Sequence, residues 1–244
     1  SAIAAFSGAK CIVGLSAKGF ALFFDRVTEG RRDIHQADAY LEVLKLIGIE
    51  SADKGGPEIW VDEGSRRRAQ KLWREKFPGE GPVVGLNPGA SWPTKRWPPA
   101  AFAALADRLA AEGIGAALFG GPMDADIAAE ILARMENGRR PAVAVFTGRT
   151  TLLEYAALVK NCRALVSGDS GPMHIAAAQK VPVVAIFGPS DPVRYGPYGH
   201  PEAVLRAAHS CLGCGRHECE RHTCMNDITP EMVMAKVKDA LGLT

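Results

Sequence analysis

From residue 82 onward, short and nearly unbroken apolar runs alternate with longer stretches in which apolar residues recur every three or four positions. "VVGLNPG" (83–89), "AALFGG" (116–121), "AVAVFTG" (142–148), "RALVSG" (163–168) and "VPVVAIFG" (181–188) read as five strands. The segments 98–113, 124–136, 151–161 and 171–179 read as helices, with Phe102, Leu105 and Leu109 at helical spacing in the first. Strands that are apolar on both sides of the pleat are covered on both faces. Their alternation with helices predicts a parallel sheet sandwiched between helical layers. In such a sheet ligands bind beyond the carboxyl ends of the strands. "NPGASW", "FGGPMD", "TGRT", "GDSGP" and "FGPSDP" all fall on that edge.

The first 60 residues follow a weaker pattern. "KCIVGL" (10–15) and "GFALFFDRV" (19–27) read as strands, and 35–49 as a helix with Ala39, Val43, Leu46 and Ile47 on one side. "ESADKGGP" (50–57) has the composition of a linker, and 62–77 begins a helix leading into the second half. The fold class is therefore α/β, with the remainder of one domain over 1–56 and a complete Rossmann-like domain over 57–244. "AIAAFSGAK", directly after Ser1, reads as the tail of a helix already under way, so the chain reads as a piece of a longer protein.

Composition narrows the classes. With 244 residues and 47% hydrophobic content, the chain can bury ordinary globular cores. A formal net charge of +2 is too weak a bias to indicate nucleic acid, and the run Arg66, Arg67, Arg68 reads most simply as a solvated helix face. No apolar run approaches the roughly 18 residues of a membrane span, and no charged-then-apolar leader opens the chain. These features read as a soluble protein.

The most informative stretch is "GDSGPMHIAAAQKVPVVAIFGPSDP" (168–192). Asp169 and Ser170 lie where a strand hands over to a helix, and Pro172 suits a first helical turn. The free N–H groups of that turn point back at the loop and form an anion site, for which phosphate is the usual occupant. Asp and Ser before a helix are also ordinary N-caps.

"GASWPTKRWPPAAFAAL", "GDSGPMHIAAAQKVPVVAIFGPSDP" and "HQADAYLEVLKLIGI" together resemble the family 9 glycosyltransferases, best known as ADP-heptose:lipopolysaccharide heptosyltransferases. The resemblance implies a GT-B architecture of two facing Rossmann-type domains, with the nucleotide sugar held mainly by the second. It implies an enzyme that transfers heptose from ADP-heptose to the lipopolysaccharide inner core with inversion and needs no cofactor. It also implies a cytoplasmic protein, with a peripheral position at the inner face of the inner membrane left open.

Carried onto this chain, the resemblance makes Ser91, Lys95, Asp124, Asp169, Ser170, Gly171 and His174 the donor-binding residues, with Asp126 beside Asp124. Lys95 would stabilise the charge that the leaving diphosphate gains. His174 also reads as a core histidine bonded to backbone, and Asp124 and Asp126 also read as helix N-terminal acids. The family's expected base is an aspartate in a glycine-containing loop. No such loop matches here, so the expected base lies upstream of Ser1, and Asp25, Asp33, His35 and Asp169 are the first candidates within the chain. A sugar-nucleotide epimerase of the same architecture is the alternative enzyme.

Cys211, Cys214, Cys219 and Cys224 follow a C-x2-C-x4-C-x4-C spacing, with His209, His217 and His222 interspersed. The density reads as a structural zinc site, or equally as reduced or paired thiols. A zinc-knuckle nucleic-acid module is the non-enzyme alternative, although the segment lacks an aromatic platform for bases. Cys11 and Cys162 read as single buried thiols.

Overall fold

A computed structural model describes residues 6–16, 23–50, 55–79, 81–136 and 142–243. Its main body is a six-stranded, wholly parallel sheet. The strands are β3 (Val83–Asn87), β4 (Gly115–Leu118), β5 (Val143–Val145), β6 (Ala164–Gly168), β7 (Val183–Ile186) and β8 (Val204–Leu205). Their spatial order is β5-β4-β3-β6-β7-β8. Counted from β3, this is the doubly wound order 3-2-1-4-5-6, which opens a crevice between β3 and β6, where the winding reverses.

Side chains alternate between two cores across the sheet. On one face Val84, Leu86, Leu118, Val166 and Ile186 pack beneath α3 (Pro99–Ala111), α4 (Ala125–Arg134) and α9 (Pro230–Leu241). On the other, Val83, Phe119, Leu165, Ala185 and Phe187 meet α2 (Glu63–Lys76), α5 (Leu152–Val159) and α6 (Gly171–Ala178). Burial on both faces is what made these strands read as continuous apolar runs. Helix starts follow local chemistry. Thr151 and Glu154 form a reciprocal capping box on α5, and Thr229 caps α9 ahead of Pro230.

The first half contributes a two-stranded parallel sheet of β1 (Val13–Ser16) and β2 (Arg26–Glu29), followed by α1 (Gln36–Lys45). The expected strand at 19–27 is displaced toward the C-terminus, and residues 19–22 lie outside the described residues. Asp25 fixes the observed register: its N–H donates to Ile12 O, and its carboxylate accepts from Ile12 N–H at 2.7 Å. The helix tail expected near the start is not helical over 6–10, and residues 1–5 lie outside the described residues. Cys11, read as buried, is exposed because it precedes β1, whereas Cys162 is buried. The sixth strand was not expected: β8 has two residues and pairs with β7 at the sheet edge, too short to show a period.

Two further α-helices have four residues each: α7 (Pro192–Tyr195) and α8 (Thr223–Asn226). The segment 35–38 at the start of α1 grips the loop around α7. Tyr198 Oη donates to Asp38 at 2.6 Å, and Arg194 donates to Gln36 at 2.7 Å.

Candidate functional site

The crevice between β3 and β6 is where the donor-turn residues gather. β3 ends in Asn87 and β6 in Gly168, and Asn87 pairs with Ser167 across the ladder. The Asn87 side chain, 1% exposed, donates from Nδ2 to Gly89 O at 3.0 Å and to Ser170 Oγ at 3.3 Å. Ser167 Oγ lies 3.1 Å from Ser170 Oγ. Ser170 is the N-cap residue of α6, but its hydroxyl caps no helix N–H. It is engaged with Asn87 and Ser167; Pro172 carries no N–H and Met173 N–H donates to Ser170 O at 3.1 Å, so in the first turn it is the Gly171 N–H that keeps its free direction. A Cβ on Gly171 would meet nothing within 4 Å, which leaves open space in front of this helix end.

Lys95 reaches the same place from another loop. It ends a short 3-10 turn (Pro93–Lys95), whose backbone approaches β6 so closely that a Cβ on Gly168 would lie 2.6 Å from Lys95 O. Only glycine permits this approach. Lys95 Nζ then sits 2.6 Å from Asp169 Oδ2, with the two side chains 14% and 9% exposed, and 4.1 Å from the centre of the Trp92 ring. The carboxylate oxygen has no hydrogen-bond partner beyond this ion pair among the described residues. A nearly buried ammonium at a helix N-terminus is a strong anion ligand. Asp169 holds it there.

His174, one turn into α6, is held below the ordinary histidine range mainly by burial. Asp169 opposes that shift, while His35 and Lys95 add to it. The His35 ring is 6.4 Å from that of His174, edge-on. His35 Nδ1 accepts from Ala37 N–H at 3.1 Å, which leaves Nε2 to donate to Gly196 O at 3.0 Å. The His35 ring belongs to the contact between the two halves.

The other expected residues are less central. Ser91 is exposed on the loop before Lys95. Asp124 is turned inward: its carboxylate accepts from Gly121 N–H at 2.8 Å and packs against Gly89, where a Cβ would collide with it. Asp126 is exposed in the first turn of α4. The in-chain candidates for a base are each engaged. Asp25 accepts from Ile12 N–H, Asp33 pairs with Arg31 at 2.6 Å and is held below the usual carboxylate range by that hydrogen bond, and Asp169 pairs with Lys95.

The cysteine segment folds back onto the Lys95 loop. Thr94 Oγ1 donates to Arg216 O at 2.8 Å, His222 Nε2 donates to Thr94 O at 2.7 Å, and the Trp92 and His217 rings lie 3.5 Å apart. Cys211, Cys214, Cys219 and Cys224 line one small cavity of about 40 Å³ beside Thr94, and all are free thiols. Among the described residues no group of three or more His, Cys, Asp or Glu side chains is arranged to hold a metal ion. The segment buttresses the lysine loop. Sequence reasoning missed Asn87, Ser167 and Thr94, though Asn87 carried a signal as the one polar residue closing the apolar run "VVGLN".

Residues 1–224 match the sequence profile of glycosyltransferase family 9 (heptosyltransferase). The chain belongs to this family. It is 37% identical over 192 residues to lipooligosaccharide heptosyltransferase 2 of Haemophilus influenzae, covering 76% of this chain and 56% of that protein. The crystal structure of a family 9 glycosyl transferase from Veillonella parvula superposes with a TM-score of 0.80 at 30% identity, covering 97% of this chain and 68% of that one. The E. coli ADP-heptose LPS heptosyltransferase II structure gives a TM-score of 0.80 at 28% identity, covering 97% and 71%. The family 9 chain thus has the parallel α/β fold of GT-B heptosyltransferases. It spans about half the length of the curated relatives it matches. No described helix is long and apolar enough to cross a membrane.

Proposed function

We propose that this chain forms the donor side of an inverting heptosyltransferase that moves heptose from ADP-heptose to the lipopolysaccharide inner core. The observation that carries the reading is the Lys95 ammonium held by Asp169 beside the open N-terminal turn of α6. Family membership and the names of the relatives support the sugar and the acceptor. In this reading the diphosphate lies against the N–H groups at Ser170 and Gly171, with Lys95 and His174 as side-chain donors. As the glycosyl bond breaks, charge grows on the leaving diphosphate, and fixed donors at that point lower the barrier more than they tighten the ground state. Ser91 and Asp124 are assigned to the rim of the donor site. The division into an acceptor-side part, 1–56, and a nucleotide-sugar domain, 57–244, belongs to the same proposal.

The acceptor hydroxyl gives its proton to a general base that we place upstream of Ser1, because Asp25, Asp33, His35 and Asp169 are already engaged. The protein would work in the cytoplasm at the inner face of the inner membrane, where a lipid-borne acceptor is presented. Thermal unfolding and calorimetry with ADP, UDP and GDP test the donor reading. ADP should stabilise and bind most strongly, and equal effects of all three would remove the assignment. Dependence of turnover on an acceptor separates a transferase from an epimerase. A structural zinc on the four cysteines is a second reading, supported by the single cavity that they line and requiring them to draw together. About one zinc per purified chain would support it, and a folded, metal-free preparation would remove it.

A further inference from the structure

The formal net charge is only +2, yet cations collect on one face of α2. Arg66, Arg67, Lys71 and Arg74 are all exposed. At the pitch of an α-helix they fall within an arc of about 140°. Ser65 and Ala69, on the opposite side, are buried. Lys160, at the end of α5, stands beside them and is exposed. None of these five cations forms an ion pair among the described residues, whereas Arg68, on the flank of the helix, pairs with Glu154. At the foot of this face Trp60 is 88% exposed. Trp60, Glu63, Arg66, Arg67, Gln70 and Lys160 line one shallow hollow of about 530 Å³, in which Glu63 is the single carboxylate against three cations.

We propose that this face docks the protein on an anionic phospholipid bilayer. A single exposed indole is unremarkable, and so is a charged helix face. Their combination is not: an amphipathic ring among unpaired guanidinium and ammonium groups suits the headgroup zone, where the ring body leaves water and the cations meet lipid phosphates. The cations from Arg66 to Arg74 extend over about 12 Å of helix, too far to close on one phosphate and suited to several headgroups. α6 runs for eight residues from the donor turn to Ala178, and Gln179, just beyond it, lines the same hollow. The docked face therefore lies about one short helix away from the donor turn and leaves it open. The inference rests on the reading of an acceptor presented at a membrane.

Flotation of the chain with vesicles of phosphatidylethanolamine containing phosphatidylglycerol, against phosphatidylcholine alone, tests it. Binding to the anionic vesicles should weaken steeply with salt. At about fivefold per cation, Arg66→Gln/Arg67→Gln should lose roughly 30-fold in partitioning. The charge-matched change Arg206→Gln/Arg221→Gln, at exposed positions elsewhere, should lose little. Trp60→Ser should abolish the blue shift of tryptophan emission on binding. ADP calorimetry on the same samples reports the donor site separately, so failure of either reading is visible by itself. Equal binding to both vesicle types, or equal losses in the two double variants, overturns the proposal. Stronger binding to single-stranded DNA than to anionic vesicles also overturns it and assigns the face to nucleic acid.

Discussion

The Lys95–Asp169 pair makes opposite demands on stability and on ligand binding, and substitutions can separate them. The contact is 2.6 Å long and the side chains are 14% and 9% exposed. Removing one partner of a fully buried pair costs about 3–5 kcal/mol, against at most about 1 kcal/mol for an exposed pair. These exposures place the pair near the buried limit. Lys95→Met should therefore destabilise the chain by about 3 kcal/mol, because it strands the Asp169 carboxylate. It should also weaken ADP by 1.5–3 kcal/mol, about 10- to 150-fold, the worth of a charge-assisted hydrogen bond. Asp169→Asn should lower stability too but tighten ADP, since it frees the ammonium and removes a negative charge beside the diphosphate. The double variant Lys95→Met/Asp169→Leu should recover most of the stability, as buried pairs replaced by apolar groups often do, and none of the affinity. Urea unfolding and isothermal calorimetry with ADP measure the two axes. Weaker ADP binding in a stably folded Asp169→Asn chain would refute the reasoning and make the carboxylate a direct ligand.

Three further outcomes are expected. His174 is depressed by burial, so its share of stability is complete above the ordinary histidine value of about 6.5 and is lost as pH falls, when the unfolded chain takes up the proton first. A bound diphosphate favours the protonated ring, so ADP binding should take up a fraction of a proton near pH 6, read from calorimetry in buffers of different ionisation enthalpy, and His174→Ala should remove that uptake. Gly168→Ala sets a methyl 2.6 Å from Lys95 O and must displace the 93–95 turn, costing about 1–3 kcal/mol in urea unfolding with a loss of ADP affinity; wild-type values would show that the approach is not needed. Asn87→Ala leaves the buried Ser167 hydroxyl and the half-buried Ser170 hydroxyl short of a partner and should cost about 1–3 kcal/mol, and an unchanged unfolding midpoint would remove Asn87 from the scaffold of the site.

Features that depend on near neighbours could be read along the chain. Strands buried on both faces are apolar at every position, so β3 to β7 stood out, and helices announced themselves by spacing and caps. The turn 168–174 was legible because Ser170, Gly171 and Pro172 fix a helix start locally. Tertiary structure decided the rest. Asn87 meets Ser170 from 83 residues away only because β3 and β6 are neighbours at the reversal of winding, which no local pattern encodes. The same adjacency turns Lys95 from a surface-type residue into a nearly buried partner of Asp169. The start of β2 was fixed by Asp25 bonding across to Ile12, and the edge strand β8 had too few residues to show a period. The cysteine segment, whose spacing left a metal site and free or paired thiols equally open, braces the Lys95 loop in the fold, because Thr94, Arg216 and His222 tie the two together over more than 120 residues. Contacts of that span depend on which elements become neighbours, and folding of the whole chain settles that.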